Sequence, residues 1–232
     1  MGGTVLAGLP RAGRAAGALD PALLQELKAC TPSGDLLEAL MAGNARFAAA
    51  WASASQVKGS AQRMQALATQ WAKDCQIDPH ALAAGQKPWA ALLTCADSRV
   101  APEWMFAKGS GELFKVSSAG NTAFDDGIAS LEYAVSVLGV TLVLVMGHSG
   151  CGAVKAAMAS EPLTPLLEGL VKPIRASLQP GDDLTKAIQG NARHSAAQLT
   201  ARSAVLKQAV EAGTLRIRSA YFDIGSGKVS LL

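Results

Sequence analysis

Two short apolar runs, Ala90-Ala-Leu-Leu-Thr94 and Val140-Thr-Leu-Val-Leu-Val-Met146, constrain what this chain can fold into more than any other feature. Both are too short for a core helix. Neither alternates cleanly between polar and apolar residues, which is how a strand covered on both faces of a parallel sheet reads. With helical periodicity around them, they predict an α/β fold: a mainly parallel central sheet with flanking helices, an N-terminal helical arm and a C-terminal hairpin. The arm is expected to cover residues 1–33 and to be partly flexible, with residues 34–232 forming a single domain.

Each run ends in reactive side chains. Cys95-Ala-Asp97-Ser-Arg99 begins where the first stops, and Gly147-His148-Ser-Gly-Cys151 follows the second. In an open parallel sheet, ligands gather outside the carboxyl ends of the strands. Two thiols and an imidazole form a zinc-type donor set that is one ligand short of a tetrahedron, and an open fourth position separates a catalytic site from a structural one. Asp97 and Arg99 add a carboxylate and a guanidinium able to pair through two parallel hydrogen bonds. Zinc lowers the pKa of its bound water toward about 7, an effect that two thiolates soften, so a zinc-bound hydroxide oriented by Asp97 is the chemistry these residue types suit. A plain structural reading also exists. In it, Cys95 and Cys151 are small buried hydrophobes, His148 is a loop histidine and Asp97 with Arg99 is an ordinary ion pair.

Further matches surround these clusters: Gly85-Gln-Lys-Pro88, Thr94-Cys-Ala-Asp-Ser-Arg-Val100, Gly111-Glu-Leu-Phe114, Ala119-Gly-Asn121, Ser130-Leu-Glu-Tyr-Ala-Val135 and Gly147-His-Ser-Gly-Cys-Gly-Ala153. On these residues the chain resembles the β-class carbonic anhydrases, roughly from residue 34 to 232 and most strongly from Gly85 to Ala157. The resemblance implies one catalytic Zn2+ per chain on Cys95, His148 and Cys151, with Asp97 and Arg99 as the catalytic dyad. It makes Gln86, Phe114 and Tyr133 substrate-binding residues, with Gln86 often reaching the pocket across a subunit interface. The implied reaction is reversible hydration of carbon dioxide to bicarbonate and a proton through the zinc-bound hydroxide. The implied assembly is a homodimer or a higher even-numbered homo-oligomer, with the N-terminal helical region packed on a neighbouring subunit.

Two other functions use the same residues. One is hydrolysis of carbon disulfide or carbonyl sulfide on the same zinc site, and the other is a non-catalytic zinc-stabilised interaction module, for which Asp97 and Arg99 would be superfluous. Some relatives close the site with the aspartate. Their bicarbonate-regulated branch usually carries a tryptophan where this chain has Leu92, which favours an open site here. Ser117 and Ser118 depart from the residues many relatives place before Ala119-Gly-Asn121.

At 232 residues and 50% hydrophobic content the chain can bury one sizeable core. A net charge of +3, with Lys and Arg spread along the chain, predicts neither a nucleic-acid nor a membrane partner. The longest apolar stretch, Val135 to Met146, is too short to span a bilayer and is interrupted by Gly139. Cys30 and Cys75 could bridge each other, but reduced thiols are the simpler reading, which favours the cytoplasm or an organelle stroma, including a carbon-fixing compartment. Residues 1–19 carry Arg11 and Arg14 with no acid, and read as a disordered arm or a targeting leader. Helices are expected over Pro21–Cys30 and Ser33–Phe47, the second capped by Ser33 or Asp35. An extra helix is expected around Met64–Trp71 within an additional segment, 56–80. Residues 162–180 and 184–213 read as mainly helical, and Arg216–Asp223 with Lys228–Leu232 as the terminal strands. His80 and His194 read as solvated surface residues, which leaves no evident proton shuttle.

Overall fold

The computed structural model describes residues 20–71 and 74–232, so the expectation for residues 1–19 lies outside the described residues. The elements in order are α1 (Pro21–Leu27), α2 (Leu36–Ser55), α3 (Ser60–Ala68), α4 (Pro79–Ala84), β1 (Ala90–Cys95), α5 (Pro102–Met105), β2 (Leu113–Ser118) and α6 (Asp125–Tyr133). After these come β3 (Leu142–His148), α7 (Gly152–Met158), α8 (Pro165–Arg175), α9 (Leu184–Arg202), α10 (Ala204–Glu211), β4 (Arg216–Asp223) and β5 (Lys228–Leu231). Among the described residues the sheet runs β2-β1-β3-β4-β5. β1 is parallel to β2 and β3, and β3 is parallel to β4. β5 returns antiparallel to β4 as the terminal hairpin.

The strand period of two sorts side chains to opposite faces. Ala90 and Leu92 of β1, with Leu142, Leu144 and Met146 of β3, face a layer that includes Leu40 and Phe47 of α2 and Phe106. Ala91, Leu93, Val143 and Val145 face Ile128 and Leu131 of α6, Leu199 of α9 and Leu206 of α10. Every residue of β1 and β3 is therefore buried, which accounts for their unbroken apolar sequences. β2 lies on the sheet edge, and its burial is interrupted at Phe114, Lys115, Ser117 and Ser118.

Helix ends follow local chemistry. Asp35 caps α2, its Oδ1 accepting from the amides of Leu37 at 2.8 Å and Glu38 at 3.1 Å. Pro79 and Pro165 occupy first-turn positions where a missing N–H costs no intrahelical bond, behind the caps Asp78 and Thr164. The extra helix of the 56–80 segment is present as α3, continued by a tighter turn at Thr69–Trp71.

α2 packs on the sheet of its own chain through Leu40 and Phe47. Asn44 fixes it there: its amide donates to the carbonyls of Met105 and Gly227, each at 3.0 Å, and its oxygen accepts from Val229 N at 2.8 Å. Cys30 and Cys75 are not free thiols but a disulfide with Cα atoms 5.4 Å apart. Leu27, Ile77 and Ala81 form a small core around them, and that packing of α1 on α4 brings the two cysteines together. The disulfide removes the argument for a reducing compartment. None of the described helices is long and apolar enough to cross a membrane.

Candidate metal centre

The chain leaves β1 for the edge strand β2, then returns past β1 to β3 on the other side, so strand order reverses between β1 and β3. Crevices outside the carboxyl ends of strands at such a reversal are where open α/β sheets bind ligands. Thr94 is in register with Met146. Cys95 therefore ends β1 beside the end of β3, where His148 is the last strand residue. The turn Ser149-Gly150, with Gly150 at φ +68°, then brings Cys151 to the start of α7. Ser149 anchors this turn to β4. Its amide donates to Phe222 O at 2.9 Å, and its hydroxyl accepts from Ile224 N at 2.9 Å.

Cys95, His148 and Cys151 are all buried, and their ligand atoms lie within 4.8 Å of one another. The two sulfurs are 4.0 Å apart, close to the roughly 3.8 Å that two thiolates 2.3 Å from a tetrahedral ion would keep. His148 Nδ1 is 3.1 Å from the Ser149 carbonyl oxygen. A carbonyl can only accept, so Nδ1 carries the proton and Nε2 carries the lone pair. Nε2 is buried and has no hydrogen-bond partner among the described residues. An orphaned buried imidazole nitrogen beside two thiols is what a cation would satisfy, so the residues present fit a zinc ion.

The two sulfurs lie within hydrogen-bonding distance, so a proton on either can be shared with the other. The Cys151 thiol at Cys95 is the main reason the Cys95 pKa lies well below the ordinary thiol range, with His148 and the Gly120 amide adding to it against the opposing push of burial. The same contact, then burial, pushes the Cys151 thiol up. A bound cation would take the place of that shared proton, since thiols ligate as thiolates.

Asp97 sits beside this cluster, its Oδ2 3.7 Å from His148 Nε2. Arg99 grips both carboxylate oxygens, Nε to Oδ1 at 2.8 Å and Nη2 to Oδ2 at 2.7 Å, and its backbone amide donates to Oδ1 at 3.0 Å. The Arg99 side chain, above all, holds the Asp97 carboxyl below the usual carboxylate range. Apolar residues back the cluster, among them Val154, Val171, Ile174 and Ile188.

Gln86, Phe114 and Tyr133 are not brought here within one chain. Phe114 pairs with Ala91, four residues before Cys95, which is about 13 Å back along the strand. Gln86 is exposed and precedes the opposite end of β1. Tyr133 is 47% exposed at the end of α6, its ring 6.4 Å from that of Phe114. His80 is exposed, as expected. His194 is half-buried, and it lines a surface cavity of about 910 Å³ with Ser118, Thr122 and Arg202.

Sequence reasoning also passed over Gly120, whose amide donates to Cys95 Sγ at 3.2 Å, and Asn191, which donates to Gly120 O at 2.7 Å. The Ala119-Gly-Asn121 match was the one sequence signal pointing toward them.

The chain is similar to known carbonic anhydrases. The family model described as carbonic anhydrase matches residues 90–229. Carbonic anhydrase 2 of Mycobacterium tuberculosis is 38% identical over 159 residues, covering 65% of this chain and 77% of that protein. The carbonic anhydrase of Mycolicibacterium smegmatis is 35% identical over the same length, with the same coverage of each chain. Among solved structures, the β-carbonic anhydrase of Coccomyxa in complex with acetazolamide superposes with a TM-score of 0.60 at 27% identity, over 66% of this chain and 76% of that one.

Proposed function

The chain belongs to the β-carbonic anhydrase family, and from that premise we propose that it catalyses the reversible hydration of carbon dioxide to bicarbonate and a proton. In this reading Cys95, His148 and Cys151 hold one zinc ion per chain. The observation that carries it is the unpartnered, buried His148 Nε2 beside two thiols, with an ionised carboxylate 3.7 Å away that no structural metal site requires.

A zinc ion held by Cys95, His148 and Cys151 would supply Lewis acidity, enough to acidify water toward a pKa of about 7 and make a nucleophile available near neutral pH. Asp97 does the orienting. An ionised carboxylate only accepts hydrogen bonds, so Asp97 takes one from the attacking oxygen and turns that oxygen's lone pair toward the carbon. Arg99 keeps Asp97 ionised and prevents it from turning, because a fork occupying both carboxylate oxygens fixes the plane of the group. The apolar backing of the cluster suits a small uncharged substrate and keeps bulk water from competing. The proton leaves through solvent, with no shuttling histidine assigned.

Gln86, Phe114 and Tyr133 fit this function when they serve the pocket of a second copy, so the working unit is an oligomer. Solved β-carbonic anhydrases of Sordaria macrospora are described as tetrameric. The Cys30–Cys75 disulfide favours a compartment in which thiols oxidise.

The test is stopped-flow carbon dioxide hydration at several pH values between about 7 and 9, the range around a metal-acidified water, with zinc determined on the same sample. Fast hydration that rises with pH at one zinc per chain supports the proposal. Absence of hydration at full zinc content rejects it.

A further inference from the structure

Asn191 lies on α9, 71 residues from the turn it touches, and is 1% exposed. Its side-chain amide donates to Gly120 O at 2.7 Å, while the Gly120 amide donates to Cys95 Sγ at 3.2 Å. These two groups of Gly120 belong to the peptides on either side of one Cα. Pinning the carbonyl therefore leaves the turn little freedom to withdraw the amide from the sulfur. The backbone also requires glycine at this point: φ is +77°, and a Cβ would come within 2.6 Å of Ile174 Cδ1 and 3.1 Å of Ala153 Cβ. The rest of the turn is closed by Asn121 N donating to Ser118 O at 3.1 Å and by the Ser118 hydroxyl donating to Thr122 O at 3.2 Å.

We infer that Asn191 is a positioning residue for the metal centre, acting through Gly120 to hold an N–H···S hydrogen bond on the ligand Cys95. This rests on the reading of Cys95, His148 and Cys151 as a metal site and deepens it. A hydrogen bond to a coordinating thiolate draws electron density from sulfur and fixes the direction of its lone pairs, so it tunes what the thiolate donates to the ion. The Oδ1 of Asn191 has no hydrogen-bond partner among the described residues, an arrangement kept at a cost for a buried amide and consistent with the amide's donor end being the functional one.

The test uses the full chain loaded with Co2+, comparing wild type with Asn191→Asp, which places an acceptor against the Gly120 carbonyl, and Asn191→Leu, of similar size with no donor. The thiolate-to-cobalt charge-transfer band is expected at longer wavelength in both variants, since the sulfur lone pairs lose a stabilising hydrogen bond. Zinc affinity, measured by competition with a chelator, is expected to fall about 10-fold to 100-fold, as loss of groups that orient ligands does. A purely structural Asn191 would lower thermal stability and leave the band where it is. That outcome in either folded variant overturns the inference. A wild-type protein with no thiolate-to-cobalt band at all would instead overturn the metal-site reading itself. With no substitution, the cadmium-113 form is expected to show scalar coupling between the metal and the Gly120 amide proton through Cys95 Sγ, and its absence also overturns the inference.

Discussion

Asp97 Oδ2 stands 3.7 Å from His148 Nε2, yet both of its oxygens are already taken by Arg99 at 2.8 and 2.7 Å. The carboxylate is thus close enough to act at the metal centre and is held from turning into it. Arg99 is the more exposed partner, with 51% of its side chain accessible against 18% for Asp97, so the pair faces outward from the buried thiols.

Asp97→Asn keeps the size of the side chain but presents an amide that can donate, and it no longer balances Arg99. We expect zinc content to be retained and hydration to slow by at least about tenfold, the low end of what a positioned acid–base group contributes. Arg99→Lys should fall between wild type and Asp97→Asn, because an ammonium cannot occupy both oxygens at once. Stopped-flow rates on samples of matched zinc content check both. Unchanged turnover in Asp97→Asn would remove Asp97 from the mechanism.

Cys151→Ser replaces a thiolate donor with a hydroxyl that does not ionise near neutral pH. Zinc bound after dialysis is expected to drop to background and activity with it, as a site reduced to two strong protein ligands lacks a catalytic donor set. Stripping zinc from the wild type with a chelator should have the same effect on activity, reversed by adding zinc back. Elemental analysis before and after readdition is the measurement.

Much of this site could be read before any coordinates, for a physical reason. β1 and β3 are covered on both faces, so burial writes continuous apolar runs, and the cluster residues lie within a few positions of where those runs end. β2 left no such trace. As an edge strand it buries Leu113 and Val116 but carries Lys115 and Ser117 outward, and a half-covered strand of six residues resembles many loops. The Asn191–Gly120 contact was invisible for a different reason: it spans 71 residues, and a buried asparagine in a helix has the same letter as a solvated one. The Cys30–Cys75 pairing likewise depends on α1 meeting α4, which no local pattern announces.

The disulfide closes a separation of 45 residues, and in the chain-entropy account a loop of that size contributes about 4 kcal/mol by restricting the unfolded state. Reduction, or the double substitution Cys30→Ser with Cys75→Ser, should lower the free energy of unfolding in urea by up to that amount. Ile77 and Leu82 of the same region pack at Gly111, ahead of β2 and away from Cys95, so zinc content should not change. A stability loss accompanied by loss of zinc would show that this end of the sheet and the metal centre are coupled.

Asp35 and Arg216 join the start of α2 to the start of β4 across 181 residues, at 2.6 Å. The Arg216 side chain is the largest cause of an Asp35 pKa lowered from 3.8 to about 2, followed by the Glu38 amide. A lowered carboxyl pKa means that the unfolded chain binds the proton more readily. The stabilisation is therefore present above pH 3.8 and is lost as pH falls toward 2. The difference in urea midpoint between wild type and Arg216→Gln should be small but measurable at pH 6 in low salt, and should vanish near pH 2. It should also shrink in high salt, because the pair is exposed. A difference independent of pH would mean that Arg216 acts through packing instead.

Tyr133, 47% exposed, and Val137, 53% exposed, present apolar surface beside the edge strand that carries half-buried Phe114. Large apolar side chains left open next to an unpaired strand edge mark an interaction surface, and Phe114, with the Tyr133 ring beside it, is in register with Ala91, four residues before Cys95. In the oligomer proposed above, a second copy covers this face and receives Gln86, Phe114 and Tyr133 at its own metal centre. Val137→Arg places a charge in this face without substituting any proposed ligand or pocket residue. Sedimentation should show a shift toward monomer, with turnover lost and zinc retained. A monomeric variant that still hydrates carbon dioxide at the wild-type rate would show that each chain completes its own pocket, and that Gln86, Phe114 and Tyr133 take no part in binding substrate.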